Sequence, residues 1–352
     1  MQTMGFACTS ADEPLAPFTF DRRAARDNDL VVEILYSGVC HSDLHQARND
    51  WGWSTYPMVP GHEIVGQVIE VGSAVKKYKV GDKVGIGCMV DSCLHCDQCL
   101  TGEEQLCRKG NTQTYNSPDR ITGENTFGGY AKHIVVREEF AVRVPDTLDL
   151  SRVAPLLCAG ITTYAPLRTY NVGPGSRVGV VGMGGLGHMA IKLAIGLGAD
   201  VTVISRSPAK EEDARELGAT HFLLSTDQDA LAAAASSFDL IVDTVPVEHG
   251  IDDYTPLLDI NGTICLVGQV GPVSSYNNVN LLMGRRSISA SMIGGIRQTQ
   301  EMMDFCGRMG ILPECETIRM HEINEAFDRL ERADVHYRFV IDMASLQVAS
   351  AA

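Results

Sequence analysis

The chain has 352 residues, an apolar content of 45% and a formal net charge of −15. That length accommodates two domains of ordinary size, each with its own core. The acidic balance argues against a nucleic-acid or anionic-membrane surface, since both reward clustered Lys and Arg. Residues Met1 to Ala11 lack the apolar run of a signal peptide. The stretch Val178 to Ala199 is broken by seven glycines and carries His188 and Lys192, so it reads as a buried strand and helix, not a membrane span. A soluble, cytoplasmic protein is the expectation.

Up to about residue 150 the chain shows short β-like runs separated by glycine: Leu30 to Tyr36, Glu63 to Val71, Lys83 to Gly87 and Lys132 to Val136. Such runs suggest an irregular β-barrel or sandwich. Beyond Pro155 the texture changes. Arg177 to Val181 reads as a strand, Leu186 to Leu197 as a helix, Asp200 to Ile204 as a strand and Pro208 to Leu217 as a helix. His221 to Leu224, Asp239 to Val242 and Thr263 to Val267 read as further strands. Alternation at this spacing indicates a doubly wound parallel sheet, so the fold class is α/β. From about Gln298 two helical patterns precede Arg338 to Ile341, a candidate returning strand.

Gly182-Met183-Gly184-Gly185-Leu186-Gly187 follows an apolar strand and opens a helical pattern. In that context G-x-G-x-x-G is a dinucleotide signature, which an isolated Gly-rich turn is not. Gly182 permits the tight turn, Gly184 lets backbone approach a pyrophosphate, and Gly187 allows close helix packing. The helix start at Gly185 and Leu186 offers N–H groups to the anion. The end of the second strand discriminates between cofactors. NAD enzymes place Asp or Glu there for the ribose hydroxyls, whereas this chain has Ser205-Arg206-Ser207 with Lys210 behind. Arg206 and Lys210 attract a 2′-phosphate that a carboxylate would repel, and Ser205 can hydrogen-bond it. NADP(H) is therefore expected over NAD.

Eleven cysteines, an odd number, disfavour a disulfide framework. Cys93, Cys96, Cys99 and Cys107 crowd one short lobe, with the donor set of a closed structural zinc. An iron–sulfur cluster also takes four cysteines, but nothing else in the chain suggests electron transfer. Cys8, Cys88, Cys265, Cys306 and Cys315 read as small apolar packing. Cys40 and Cys158 stand apart, and spacing alone assembles no site from them.

The chain resembles the zinc-dependent medium-chain dehydrogenases, in their cinnamyl-alcohol-dehydrogenase-like branch and nearest to bacterial NADPH-dependent aldehyde reductases. The resemblance is carried by Gly38 to Gln46 (GVCHSDLHQ), Tyr56 to Gly66 (YPMVPGHEIVG), Pro155 to Tyr164 (PLLCAGITTY), Val178 to Met189 (VGVVGMGGLGHM), Ser291 to Gly295 (SMIGG) and Tyr337 to Asp342 (YRFVID). It implies a GroES-like catalytic domain of residues 1–154 plus 295–352, and a Rossmann domain of residues 155–294. It implies two zincs per chain. The catalytic one is bound by Cys40, His62 and Cys158, leaving a position open for substrate. Glu63 matches a carboxylate able to approach the metal, and Asp43 a partner that orients the metal-bound imidazole. Ser42 matches the hydroxyl on the substrate oxygen, and His45 the distal proton acceptor. Thr162, Thr163 and Arg338 match residues near the cofactor.

The implied reaction is reversible reduction of aromatic and aliphatic aldehydes to primary alcohols, in a homodimer joined near Arg286 to Met292. An NAD-dependent alcohol or polyol dehydrogenase is the alternative enzyme, and a non-catalytic zinc-bearing relic the alternative class. Two departures bear on substrate. Ser42 stands where many relatives have Thr, and Thr112, Gln113 and Thr114 supply no aromatic residue before Tyr115-Asn116, which counts against a dedicated monolignol role. Trp51 and Trp53 fit either an apolar substrate pocket or core packing under the zinc lobe.

Overall fold

The computed structural model describes residues 1–268 and 270–346. They form two compact units: Met1–Cys158 together with the chain from Gly294, and Ala159–Ile293.

The first unit is organised around one long strand, Asp29–Val39. Along one edge it pairs antiparallel with Ile64–Val71. Its other edge is shared: His133–Arg137 takes Asp29 to Glu33, and Arg338–Asp342 takes Tyr36 to Val39. Lys83–Ile86 and Ala141–Arg143 extend the sheet beyond Ile64–Val71. Cys315–Arg319 extends it beyond Arg338–Asp342. The tail therefore returns across the sequence to lie beside the first segment. Val32, Ile64, Val68, Val84 and Phe339 are fully buried between this sheet and its covering loops. The helix Ile296–Met309 ends at Gly310, whose positive φ of 66° closes the helix without a Cβ penalty.

The second unit holds six parallel strands in the order His221–Leu224, Asp200–Ser205, Arg177–Val181, Phe238–Asp243, Leu258–Leu266, Ser287–Ala290. Because helices cover both faces, the central strands read as unbroken apolar runs instead of alternating ones. Val178, Val180, Val203, Ile241 and Ile264 are completely buried. Each such side chain contributes about 1.5–3 kcal/mol of burial against the entropy of ordering it. The chain order reverses direction between Arg177–Val181 and Phe238–Asp243. That is the switch point, at whose carboxyl end open α/β sheets bind ligands.

The expected elements stand close to their sequence positions. The strand after Asp239 starts at Leu258, earlier than the apolar run at Thr263 suggests. Pro208–Lys210 forms a separate 3-10 turn before the helix Glu211–Glu216. The short helix Val279–Gly284 has no counterpart in the sequence reading.

Candidate active site

The site begins with how one helix starts. Cys40 caps the helix His41–Ala47, and Asp43 in its first turn reaches back to accept the Cys40 N–H at 3.0 Å. This is the geometry of a capping box, which satisfies an orphan donor at the helix start. The same fully buried carboxylate does three further things. It accepts from the Gly61 N–H at 3.1 Å, from the Tyr130 hydroxyl at 3.0 Å and from His62 Nδ1 at 2.9 Å. With Nδ1 donating to Asp43, His62 Nε2 is the ring nitrogen left to bind a metal.

Ligand atoms of Cys40, His62, Glu63 and Cys158 lie within 4.8 Å of one another. Two thiols, an oriented imidazole and one carboxylate around a single point fit a catalytic zinc. Glu63 is fully buried and pairs with Arg338. Burial pushes the Glu63 carboxyl up to about 7 against the pull of the Arg338 guanidinium. Gly38 makes room for it, because a Cβ there would overlap the carboxylate. Arg338 is buried and committed to Glu63 within the first unit.

Ser42 and His45 sit three residues apart on one helix face. His45 Nδ1 lies 2.7 Å from Asp50 Oδ2. The His45 ring lies tilted against Trp51 with centroids 5.5 Å apart, and Trp51 tilted against Trp53 at 5.4 Å. Trp53 is 57% exposed, so the tryptophans run outward from His45 and core packing does not describe them.

Cys93, Cys96, Cys99 and Cys107 converge separately. The sulfurs of Cys93 and Cys99 are 3.8 Å apart, and those of Cys96 and Cys99 3.5 Å. A zinc–sulfur bond near 2.3 Å gives a tetrahedral edge of about 3.8 Å, so the lobe fits that metal. Backbone N–H groups of Cys99 and Arg108 pull the Cys96 thiol down to about 6, which favours the thiolate a metal needs.

In the second unit the three glycines of the loop differ in the room around them. Gly182 has φ +87°, and a Cβ there would meet Thr244 Oγ1 at 2.9 Å. At Gly184 a Cβ would meet nothing within 4 Å, the open space a close-lying pyrophosphate requires. A Cβ at Gly187 would overlap the Gly182 carbonyl. Gly185 and Leu186 follow directly, and the helix Gly187–Gly196 starts there. Arg206 is exposed just beyond the second strand, and Ser205 is buried with its hydroxyl accepting the Ser207 N–H at 3.2 Å. Lys210 binds Asp213 at 2.8 Å, which offsets part of its charge. Thr162 and Thr163 are buried in the helix Ala159–Thr169, where the Thr163 hydroxyl donates to the Ala159 carbonyl at 2.8 Å.

Comparison with known proteins places the chain in a family. Residues 26–146 match the model of the alcohol dehydrogenase GroES-like domain, and residues 185–308 that of the zinc-binding dehydrogenases. The aldehyde reductase YahK of Escherichia coli is 51% identical over 98% of this chain and 99% of its own length. The mannitol dehydrogenase of Petroselinum crispum is 50% identical over 94% of this chain and 98% of its own. The chain belongs to the zinc-dependent medium-chain alcohol dehydrogenases. Within them it falls in the CAD-like branch. The structure of CAD from Helicobacter pylori complexed with NADP(H) is 41% identical, with a TM-score of 0.88, and covers 98% of this chain and 99% of that one. As an alcohol dehydrogenase the protein is an enzyme of alcohol–aldehyde oxidoreduction.

Several residues of this dehydrogenase's site were not found from sequence. Asp50 and Tyr130 touch His45 and Asp43 only through the fold. Tyr115 stacks on His62 with ring centroids 5.9 Å apart. Cys88, read as apolar packing, is half-buried, and its thiol donates to the Leu157 carbonyl at 3.8 Å. The physical reason is that Gly87 allows its segment to press against Leu157.

Proposed function

We propose that this dehydrogenase reduces aldehydes to primary alcohols with NADPH, reversibly, at a zinc held by Cys40, His62 and Cys158. The observation that carries the reading is Asp43, whose carboxylate fixes both the Cys40 helix start and the His62 tautomer around one three-ligand point. Bound there, zinc supplies Lewis acidity toward a carbonyl oxygen, and NADPH supplies the hydride.

The chain's own groups handle the proton. Ser42 Oγ holds it near the metal ligands, one residue from Asp43. His45, on the same helix face, takes or returns it at Nε2, because Asp50 Oδ2, 2.7 Å away, engages Nδ1. Glu63 and Arg338 hold each other beside the ligands, so the extra carboxylate next to the metal is neutralised. Cys93, Cys96, Cys99 and Cys107 take a second, structural zinc whose four thiolates leave no open position.

For the cofactor, Gly182, Gly184, Gly185, Leu186 and Gly187 cradle the pyrophosphate, and Thr162 and Thr163 lie on the nicotinamide side. Ser205, Arg206 and Lys210 read the 2′-phosphate, with Arg206 carrying most of the charge because Asp213 offsets Lys210. The units then divide the work: Met1–Cys158 with the chain from Gly294 is the catalytic domain and Ala159–Ile293 the NADP-binding domain, a division a few residues beyond the 1–154 and 155–294 bounds expected from sequence that keeps Cys158 with Cys40 and His62. The many thiols suit a reducing compartment such as the cytoplasm, and no helix among the described residues is long and apolar enough to cross a membrane.

The test is reduction of benzaldehyde and cinnamaldehyde by the zinc-loaded enzyme with NADPH and NADH in parallel. Turnover favours NADPH, and Arg206→Ala raises the KM for NADPH by about tenfold or more while leaving NADH nearly unchanged, as loss of a charged hydrogen bond should. Equal losses for both cofactors would sink the 2′-phosphate reading.

We also propose a homodimer through the second unit. Ser287–Ala290 is the terminal strand of its sheet. In the helix that precedes it in the chain, Leu282 and Met283 are 71% and 82% exposed. An unpaired strand edge next to apolar side chains is the feature that folded chains cover. Sedimentation equilibrium should return twice the chain mass of 38.1 kDa; a single chain mass would refute the dimer.

A further inference from the structure

Asp243 is a buried carboxylate that the proposed chemistry does not use. It ends the strand Phe238–Asp243, which lies beside Arg177–Val181 at the switch point of the second unit. Its Oδ1 accepts the Val245 N–H at 3.1 Å, and its Oδ2 lies 2.8 Å from His249 Nε2. On the other side of the ring, His249 Nδ1 lies 2.9 Å from the Val247 carbonyl oxygen. A carbonyl can only accept, so Nδ1 carries a proton. A second proton lies between Nε2 and Oδ2, where two lone pairs would otherwise face each other. His249 thus returns the chain to the strand end six residues after leaving it. Either group left without the other in the interior is costly, so the pair holds its turn closed.

That turn carries Thr244. Its N–H and its hydroxyl both donate to the Val181 carbonyl, at 3.0 and 2.8 Å. Val181 is the last residue of its strand before the glycine loop. The Thr244 hydroxyl oxygen would lie 2.9 Å from a Cβ at Gly182 and 3.1 Å from one at Gly187. One hydroxyl is therefore seated against both ends of the loop. The opposite side of Thr244 is closed as well. The Asp243 carbonyl accepts the Val267 and Gly268 N–H groups at 2.9 and 3.2 Å, and a Cβ at Gly268 would overlap the Thr244 backbone.

We propose that Asp243 and His249 are positioning residues for the cofactor: their pairing sets Thr244 against the glycine loop and so fixes the spacing of Gly182 and Gly187 around a pyrophosphate. A cradle already in its bound shape loses less freedom on binding than one that must first be ordered. The pyrophosphate is common to NADPH and NADH, so the pair acts on both, unlike Arg206. The inference rests on the reading of the loop as the pyrophosphate seat.

The experiment measures dissociation constants by calorimetry on the full-length, zinc-loaded protein. His249→Ala should raise Kd for NADPH and NADH alike, by on the order of tenfold, as loss of a charged hydrogen bond should. Adenosine 2′-monophosphate, which has no pyrophosphate, should keep its affinity. In turnover the loss should fall on the cofactor KM, with kcat at saturating cofactor near that of the parent. Asp243→Asn should retain most of the affinity, because an amide still accepts the Val245 N–H and donates to a neutral imidazole. Thr244→Val removes the hydroxyl without stranding a charge. It should weaken both dinucleotides, and Thr244→Ser should restore them. Unchanged Kd values in His249→Ala and Thr244→Val would overturn the proposal. So would a loss confined to NADPH, or a loss for adenosine 2′-monophosphate in step with the dinucleotides, which would mean a general loosening of the unit. Gly184→Ala tests the underlying reading separately. It places a methyl group in the open space of the loop and should weaken both dinucleotides; unchanged affinity would overturn the pyrophosphate seat itself.

Discussion

The two cysteine-rich sets of this dehydrogenase invite comparison. One is local: Cys93, Cys96, Cys99 and Cys107 lie within fifteen residues, and their sulfurs meet by virtue of short turns. The other is dispersed: Cys40, His62 and Cys158 span more than a hundred residues and meet only because a sheet and a helix start bring them together. The local set leans on backbone N–H groups and partial exposure. The dispersed set is buried and leans on one carboxylate, Asp43, which serves four donors. The difference teaches that a closed metal site can be built from chain geometry alone. A site that keeps one position open needs the fold to hold its ligands apart from competing contacts.

The sharpest way to break the contrast is Cys158→Ser. We expect activity to fall to background and one zinc to be lost, with the far-ultraviolet circular dichroism preserved; retained turnover would contradict the ligand assignment. A smaller effect is expected from Asp43→Asn, which leaves the ligands but weakens their orientation. Catalytic-zinc affinity should drop by about 10–100-fold in a chelator competition while the lobe keeps its metal. If both zincs weaken equally, the two sets are not independent. Cys99→Ser should act least on chemistry. It should lower the melting temperature by on the order of 10 °C, each kcal/mol lost being worth about 2–4 °C in a domain of this size. Loss of turnover before loss of stability would mean the roles of the two sets are exchanged.

The same contrast explains what the sequence could disclose. The lobe was legible because its information is the spacing of four residues. The parallel sheet was legible because Arg177–Val181, Asp200–Ser205 and His221–Leu224 are apolar strands punctuated by helical patterns. The glycine loop was legible because each glycine answers a separate steric demand. Asp50 and Tyr130 were not, because an ordinary acid and an ordinary tyrosine acquire meaning only from tertiary neighbours. The place of Cys88 was not legible for the same reason: only the approach of Gly87 to Leu157, far along the chain, sets it. The helix Val279–Gly284 escaped notice because six residues are too few to show a period.

The glycine beneath Glu63 has a consequence for how such a sequence can change. With any side chain at residue 38, the buried carboxylate loses its seat and Arg338 its partner. Positions 38 and 63 are therefore coupled by space. A lineage that abandons the carboxylate must shorten residue 63 before it enlarges residue 38. The reverse order passes through a chain with an overfilled, charged interior. The path through mutation has a direction, set by the width of a single missing methyl group.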